Sequence, residues 1–318
     1  MKAFLVVALV LILLIQPTCL FARRAGAIDV PRDWRRMHKK SLPRNGGMAI
    51  YIAFLVGCSV IGMRNPAWGF ALVGSGLMVG VGLVDDICTL SPWVKLAFQI
   101  PAAFLATRIT PLVTLDALFA TVWILMLTNA HNFIDGLDGL FCGCAAIESA
   151  ALGILLLAGG RSTEAAVAGC LCSACFAFRL FNRPPAKLFA GDCGSATVGY
   201  LLAVLSLPLL GREQTPLSIG ALLLVFAYPL ADLSASVLRR VLRGKSPFVA
   251  DRGHLHHRIC DAGVSPTTCM RLLLALCGGL CCLAVLMGAF SFYGVASVWC
   301  LLMVLLLVGM RRFIVAQH

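Results

Sequence analysis

Residues 3–21 read AFLVVALVLILLIQPTCLF, a run without a charged side chain, and Arg23 and Arg24 follow it after Ala22. An α-helix rises 1.5 Å per residue, so crossing roughly 30 Å of hydrocarbon takes about 20 apolar residues. This run is long enough. Working outward, further apolar runs occupy approximately residues 47–63, 67–84, 93–107, 112–130, 139–158, 164–181, 194–210, 217–235, 269–290 and 293–310. They predict an all-α, polytopic transmembrane bundle of about ten or eleven helices. Segment 93–107 is the weakest, being short and carrying Pro101. No period-two alternation suggests a barrel. Close small residues such as Gly76 and Gly80 permit tight helix packing.

Composition agrees. Of 318 residues, 60% are hydrophobic and 13% charged, and mean hydropathy is +0.93. Soluble domains carry about 25% charged residues, and one or two soluble cores could not hide this much apolar surface. Disorder, collagenous repeats and a secreted disulfide scaffold are excluded on the same figures. A soluble nucleic-acid-binding protein is excluded too, despite the net charge of +12. Most of the 15 cysteines sit inside apolar runs, where Cys acts as a small hydrophobe. Cys172 and Cys175 have CxxC spacing, but no second pair supports a metal or redox site.

The charges orient the chain. Arg23, Arg24, Arg32, Arg35, Arg36, Lys39, Lys40 and Arg44 follow the first run, whereas only Lys2 precedes it. The positive-inside rule places this basic segment in the cytoplasm. The rival reading, a cleavable signal peptide ending near Phe21-Ala22, would put the most basic loop outside. Alternate threading then puts loops near 22–46, 85–92, 131–138, 182–193 and 236–268 inside, and the opposite loops are short.

Four polar clusters fall on that inside face. Asp85 and Asp86 end a glycine-rich span, where adjacent carboxylates repel and are costly to desolvate unless a cation or proton uses them. Lys95 is spaced to return to the same mouth and bind an anionic group. The segment Asn129–Leu140, NAHNFIDGLDGL, carries Asn132, Asp135 and Asp138, hard oxygen donors suited to magnesium. The spacing of Asp135 and Asp138 predicts one shared helix face. Asp192, between glycines at a helix start, is placed to hold a metal that bridges phosphates. The Cys193 beside it is not read as a nucleophile. Asp251–Arg258, DRGHLHHR, offers Arg252, His254, His256 and His257 as a diphosphate clamp. Zinc held by these histidines and Cys260 is the competing reading, but the spacing fits no standard pattern.

These pieces, in this order, resemble the polytopic polyprenyl-phosphate sugar-1-phosphate transferases (glycosyltransferase family 4) across nearly the whole chain, as one integral-membrane domain over 1–318. They are Pro43-Arg44-Asn45-Gly46-Gly47, Asp85-Asp86 with Lys95 and Gln99, Asn132 through Leu140, Phe189 through Ser195, and His254 through His257. The resemblance is nearest to the undecaprenyl-phosphate N-acetylglucosamine-1-phosphate transferases. It implies that Asn132 and Asp192 hold catalytic Mg2+, with Mn2+ as a substitute. It implies that Asp85, with Asp86 beside it, is the base or proton acceptor for the lipid phosphate. Phe189 and Asp138 would line a uracil pocket, Asp135 and Lys95 would organise the diphosphate, and the histidines would resemble the amino-sugar branch. Thr89 departs from relatives that carry a third acid after the pair, which leaves a three-acid metal arrangement open. The expected partners are undecaprenyl phosphate, a UDP-amino sugar and the lipid bilayer. The expected place is the bacterial inner membrane, where the product initiates lipopolysaccharide or another cell-wall glycan. The alternative is an ion-coupled transporter, which would need acids deep within spans and broken helices in both halves.

Overall fold

A computed structural model describes residues 1–30, 41–63, 66–109, 114–210, 216–246 and 253–289. The regular structure of the described residues is helical apart from one antiparallel ribbon, β1 (Ile28–Asp29) with β2 (Leu42–Pro43), in which Ile28 faces Pro43. Its helices are α1 (Lys2–Ala25), α2 (Gly47–Ile61), α3 (Ala67–Ile87), α4 (Pro92–Ala106), α5 (Thr114–Ile134), α6 (Leu140–Ala158), α7 (Ser162–Asn182), α8 (Asp192–Ser206), α9 (Pro216–Val225), α10 (Ala227–Leu242), α11 (Leu255–Asp261) and α12 (Pro266–Ala289).

Seven of these are long and apolar enough to cross a membrane, and α9 with α10 makes an eighth if the bent pair is one span. The predicted eleven therefore contract among the described residues. Segments 47–63 and 93–107 form 15-residue helices, α2 and α4, and 293–310 lies outside the described residues. Segment 217–235 is not one straight helix: α9 and α10 meet at Phe226 with a 75° bend. Pro229 explains the break. It lies in the first turn of α10, and without an N–H its ring would clash with the Val225 carbonyl if α9 continued.

At the centre stands α8, where every residue from Cys193 to Ser206 is buried. In lipid, helices gain little from apolar association alone, and close approach over small residues takes its place. Gly82 of α3 lies against the Cys193 backbone, and Gly47 of α2 against Gly194. On the far side Gly199 meets α5 at Leu127, Thr128 and His131. Any side chain at these glycines would push a helix away from α8. The N-terminus of α8 therefore becomes the point on which α2, α3 and α5 converge.

Candidate active site

Everything polar in the site is built around that N-terminus. Three backbone bonds tie the segment before α2 to the segment before α8: Phe189 N to Pro43 O (2.9 Å), Gly46 N to Phe189 O (2.9 Å) and Gly47 N to Ala190 O (2.8 Å). Arg44 is thereby held over α8. Asp86, in the last turn of α3, accepts from the backbone N–H groups of Asp192 (2.9 Å) and Cys193 (3.2 Å). These are free donors at a helix start, where a carboxylate is also favoured by the helix dipole. Gly191 makes this possible. Its φ is +71°, and a Cβ would press on the Asp86 carboxylate and the Arg44 carbonyl.

The charges then interlock. Arg44 Nε lies 3.1 Å from Asp86 Oδ1, and its Nη2 donates to Asp192 Oδ1 at 3.1 Å. Lys95 Nζ bridges Asp85 Oδ2, at 2.7 Å, and Asp192 Oδ2. Asp85 Oδ1 also accepts from Leu90 N at 2.7 Å. The Asn132 carboxamide donates to Asp192 Oδ2 (3.2 Å), and its oxygen accepts from Ser195 Oγ (2.8 Å). Burial lowers the pKa of the Arg44 guanidinium, but the carboxylates of Asp86, Asp192 and Asp85 outweigh it and raise the value overall. For Asp135, burial and then the charge of Asp192 push the carboxyl well above the usual range, against the pull of Arg44.

Four carboxyl groups (Asp85, Asp86, Asp135 and Asp192) thus share two cations. A divalent cation would relieve the crowding of carboxyl groups that raises the Asp135 pKa, and the Asp192 carboxylate, hydrogen-bonded to the Asn132 amide, is a hard oxygen donor for one. Among the described residues no three His, Cys, Asp or Glu side chains form a ready-made metal cage. Magnesium characteristically uses one or two carboxylates and completes its shell with water and phosphate oxygens, so this donor set suits it.

The histidines form the opposite wall. His254 Nδ1 lies 2.8 Å from Asp232 Oδ2, and Leu255 N donates to Asp232 Oδ1 at 2.7 Å. The His254 ring meets Phe133 edge-on at 5.2 Å and stacks on His256 at 5.7 Å. His256 is 1% exposed, and neither ring nitrogen has a hydrogen-bond partner among the described residues. Burial, then the neighbouring His257, lowers its pKa to about 3. Gly136 passes directly over its Nε2, which brings the Asn132–Asp138 segment and the histidines together. A cavity of about 330 Å³ runs from Lys95 and Asn132 between α4, α5 and α10, with walls that include Leu96, Leu125 and Leu233.

The predicted residues are therefore largely assembled: Asp85, Asp86, Lys95, Asn132, Asp135 and Asp192 in one cluster, His254, His256 and His257 beside it. One expectation is corrected. Asp135 and Asp138 do not share a helix face, because α5 ends at Ile134 and α6 begins at Leu140. Both lie in the intervening turn, whose glycines end the helix, and Asp138 accepts from Ala186 N at 2.9 Å. Phe189 contributes its backbone to the ties described above. Arg252 lies outside the described residues.

Several residues of the site carry little signal in the sequence. In the sequence Arg44 is one of a run of basic residues and part of a motif; in α10 the Arg240 guanidinium sits 5.4 Å above the Phe133 ring. Ser195 and Asp232 were not singled out. Asp232 did carry a signal, as an acid within an apolar segment that needs a partner.

Residues 68–209 match the model of glycosyl transferase family 4. Over 277 residues the chain is 31% identical to a probable undecaprenyl-phosphate N-acetylglucosaminyl 1-phosphate transferase of Bacillus subtilis, covering 82% of this chain and 77% of that one. It is 32% identical over 295 residues to a decaprenyl-phosphate N-acetylglucosaminephosphotransferase of Mycobacterium tuberculosis, covering 78% and 72%. An undecaprenyl-phosphate alpha-N-acetylglucosaminyl 1-phosphate transferase of Escherichia coli is 26% identical over 268 residues, covering 76% and 71%. With relatives this similar over most of both lengths, the chain belongs to glycosyl transferase family 4, in the superfamily of polytopic polyprenyl-phosphate sugar-1-phosphate transferases.

Proposed function

We propose that the protein transfers N-acetylglucosamine-1-phosphate, or a close N-acetylhexosamine equivalent, from its UDP-sugar to undecaprenyl phosphate and releases UMP. The observation that carries this reading is the Asp85–Lys95–Asp192–Asn132 cluster at the end of a leucine-walled cavity. A phosphate on a hydrocarbon chain and a water-soluble diphosphate can meet at such a boundary. The site would face the cytoplasm of a bacterial inner membrane, where the product begins a surface polysaccharide such as lipopolysaccharide.

In the reaction an acceptor phosphate oxygen attacks the β-phosphorus. The bond from that phosphorus to the UMP oxygen breaks, and its electron pair leaves with UMP. The acceptor is already largely ionised at neutral pH, with a second pKa near ~6 by analogy with phosphorylated side chains. Positioning therefore matters more than proton removal. Lys95, which bridges Asp85 and Asp192, would organise the diphosphate, and Asp85 would take the residual proton of the acceptor phosphate. Asp86 keeps Asp192 in place as a cap on α8. Asn132 and Asp192 would hold Mg2+, or Mn2+, which supplies charge neutralisation to the diphosphate and the leaving UMP. His254, His256, His257 and Arg252 would bind the sugar side of the diphosphate, Asp135 would help to organise the diphosphate region, and Phe189 and Asp138 would line the uracil pocket.

Release of UMP from UDP-N-acetylglucosamine by purified protein tests this. The expected result is release that requires both polyprenyl phosphate and magnesium. Release without the lipid, or none with any UDP-N-acetylhexosamine, contradicts it.

A further inference from the structure

His131 and Glu148 form a pair that no step above uses. His131 Nε2 of α5 lies 2.7 Å from Glu148 Oε2 of α6, and both side chains are fully buried. Ionisable groups inside apolar spans are costly to desolvate, and two well-packed apolar residues would serve packing at least as well. The pair is also fully determined. His131 Nδ1 lies 2.8 Å from the Leu127 carbonyl, which only accepts, so Nδ1 carries a hydrogen. One further proton is then shared between Nε2 and Oε2, and the pair is neutral overall whichever atom holds it. Phe226, at the α9–α10 break, packs edge-on against the imidazole at 6.1 Å. Cys277 of α12 lies 3.9 Å from Glu148 Oε1, and Gly199 of α8 backs the His131 Cβ.

The next residue along α5 is Asn132. One helical step turns its carboxamide away from α6 and onto Asp192 and Ser195. We propose that the His131–Glu148 bond is a positioning element, which fixes the rotation of the last turn of α5 and so holds Asn132 on Asp192. The inference rests on the reading above that Asn132 and Asp192 hold the metal.

What matters in this arrangement is a hydrogen bond rather than a charge. Glu148→Gln keeps it, because the amide can donate to Nε2 while Nδ1 stays on Leu127. Glu148→Ala removes it. The His131→Phe/Glu148→Leu double variant replaces the pair with apolar volume and guards against a variant that merely fails to fold.

The experiment is a Mn2+ titration of purified protein without substrates, followed by electron paramagnetic resonance, with Asn132→Ala alongside. Glu148→Ala and the double variant should raise the Mn2+ concentration for half-occupancy by about tenfold or more, the scale of lost support around metal ligands. Glu148→Gln should stay within about twofold of the parent, and KM for polyprenyl phosphate should hardly move in any of them. If Asn132→Ala weakens Mn2+ but the folded double variant binds it normally, the positioning role is overturned and the metal reading stands. If Asn132→Ala itself leaves Mn2+ binding unchanged, the metal reading fails and the positioning role falls with it.

Discussion

Two adjacent aspartates do different work at the residue scale. Asp86 is committed on every side to α8 and Arg44, whereas Asp85 shares Lys95 with Asp192 at the cavity end. Asp86→Ala should therefore destabilise the protein, by about 1–2 kcal/mol for the lost cap and more for the stranded Arg44. Asp85→Asn should leave the melting temperature in detergent nearly unchanged and lose turnover; equal melting shifts in the two variants would contradict this division. Asp192→Asn keeps the shape but loses the charge that Arg44 and Lys95 neutralise, so turnover should vanish in a folded, inserted protein. Near-normal turnover at saturating magnesium would remove Asp192 from the metal site. His256 adds a pH dependence. Its folded pKa of about 3 lies below the ordinary 6.5, so between those values the unfolded chain binds a proton that the folded one refuses. Its contribution is fully present above pH 6.5 and is lost on acidification, by up to ~1.4 kcal/mol per pH unit. Melting temperature should fall from pH ~7 to ~5, and His256→Leu should flatten that slope; an unaltered slope would mean that another group carries it.

At the scale of elements, the start of α8 organises the site, and Gly191 is its most sensitive backbone position. Gly191→Ala would force a side chain into a left-handed conformation and onto the Asp86 carboxylate. The expected outcome is loss of turnover together with a lower melting temperature. Retention of both would show that the α8 cap is dispensable. The helical spans, the grouping of Asp85, Asp192 and the histidines, and the return of Lys95 to Asp85 were legible in the sequence, because hydropathy and charge are local. The centrality of α8 was not, since it depends on which glycines of α2, α3 and α5 approach it. Nor was the Asp232–His254 link, whose partners lie 22 positions apart, one within α10 and one at the start of α11. The turn at Asp135 and Asp138 is hidden because their i,i+3 spacing suits a helix, whereas the chain leaves the helix between Ile134 and Leu140, around Gly136 and Gly139.

At the scale of the whole molecule, the described helices form a multi-pass scaffold on which the residues of the site are gathered at one end. Arg44, Asp85, Lys95, Asn132, Asp192 and His254 come from five stretches distant in sequence. If that end is cytoplasmic, a cysteine introduced by Arg36→Cys, in a background cleared of accessible native thiols, should resist an impermeant reagent applied to intact cells and react after permeabilisation. Labelling of intact cells would reverse the threading of the whole chain. The central claim concerns which bond is broken, and UDP-N-acetylglucosamine carrying radioactive phosphorus at the β position tests it most directly. A sugar-1-phosphate transfer moves that label into the polyprenyl lipid fraction and leaves unlabelled UMP in the water phase. Label remaining in the water phase as UDP, with the sugar alone on the lipid, would contradict the account.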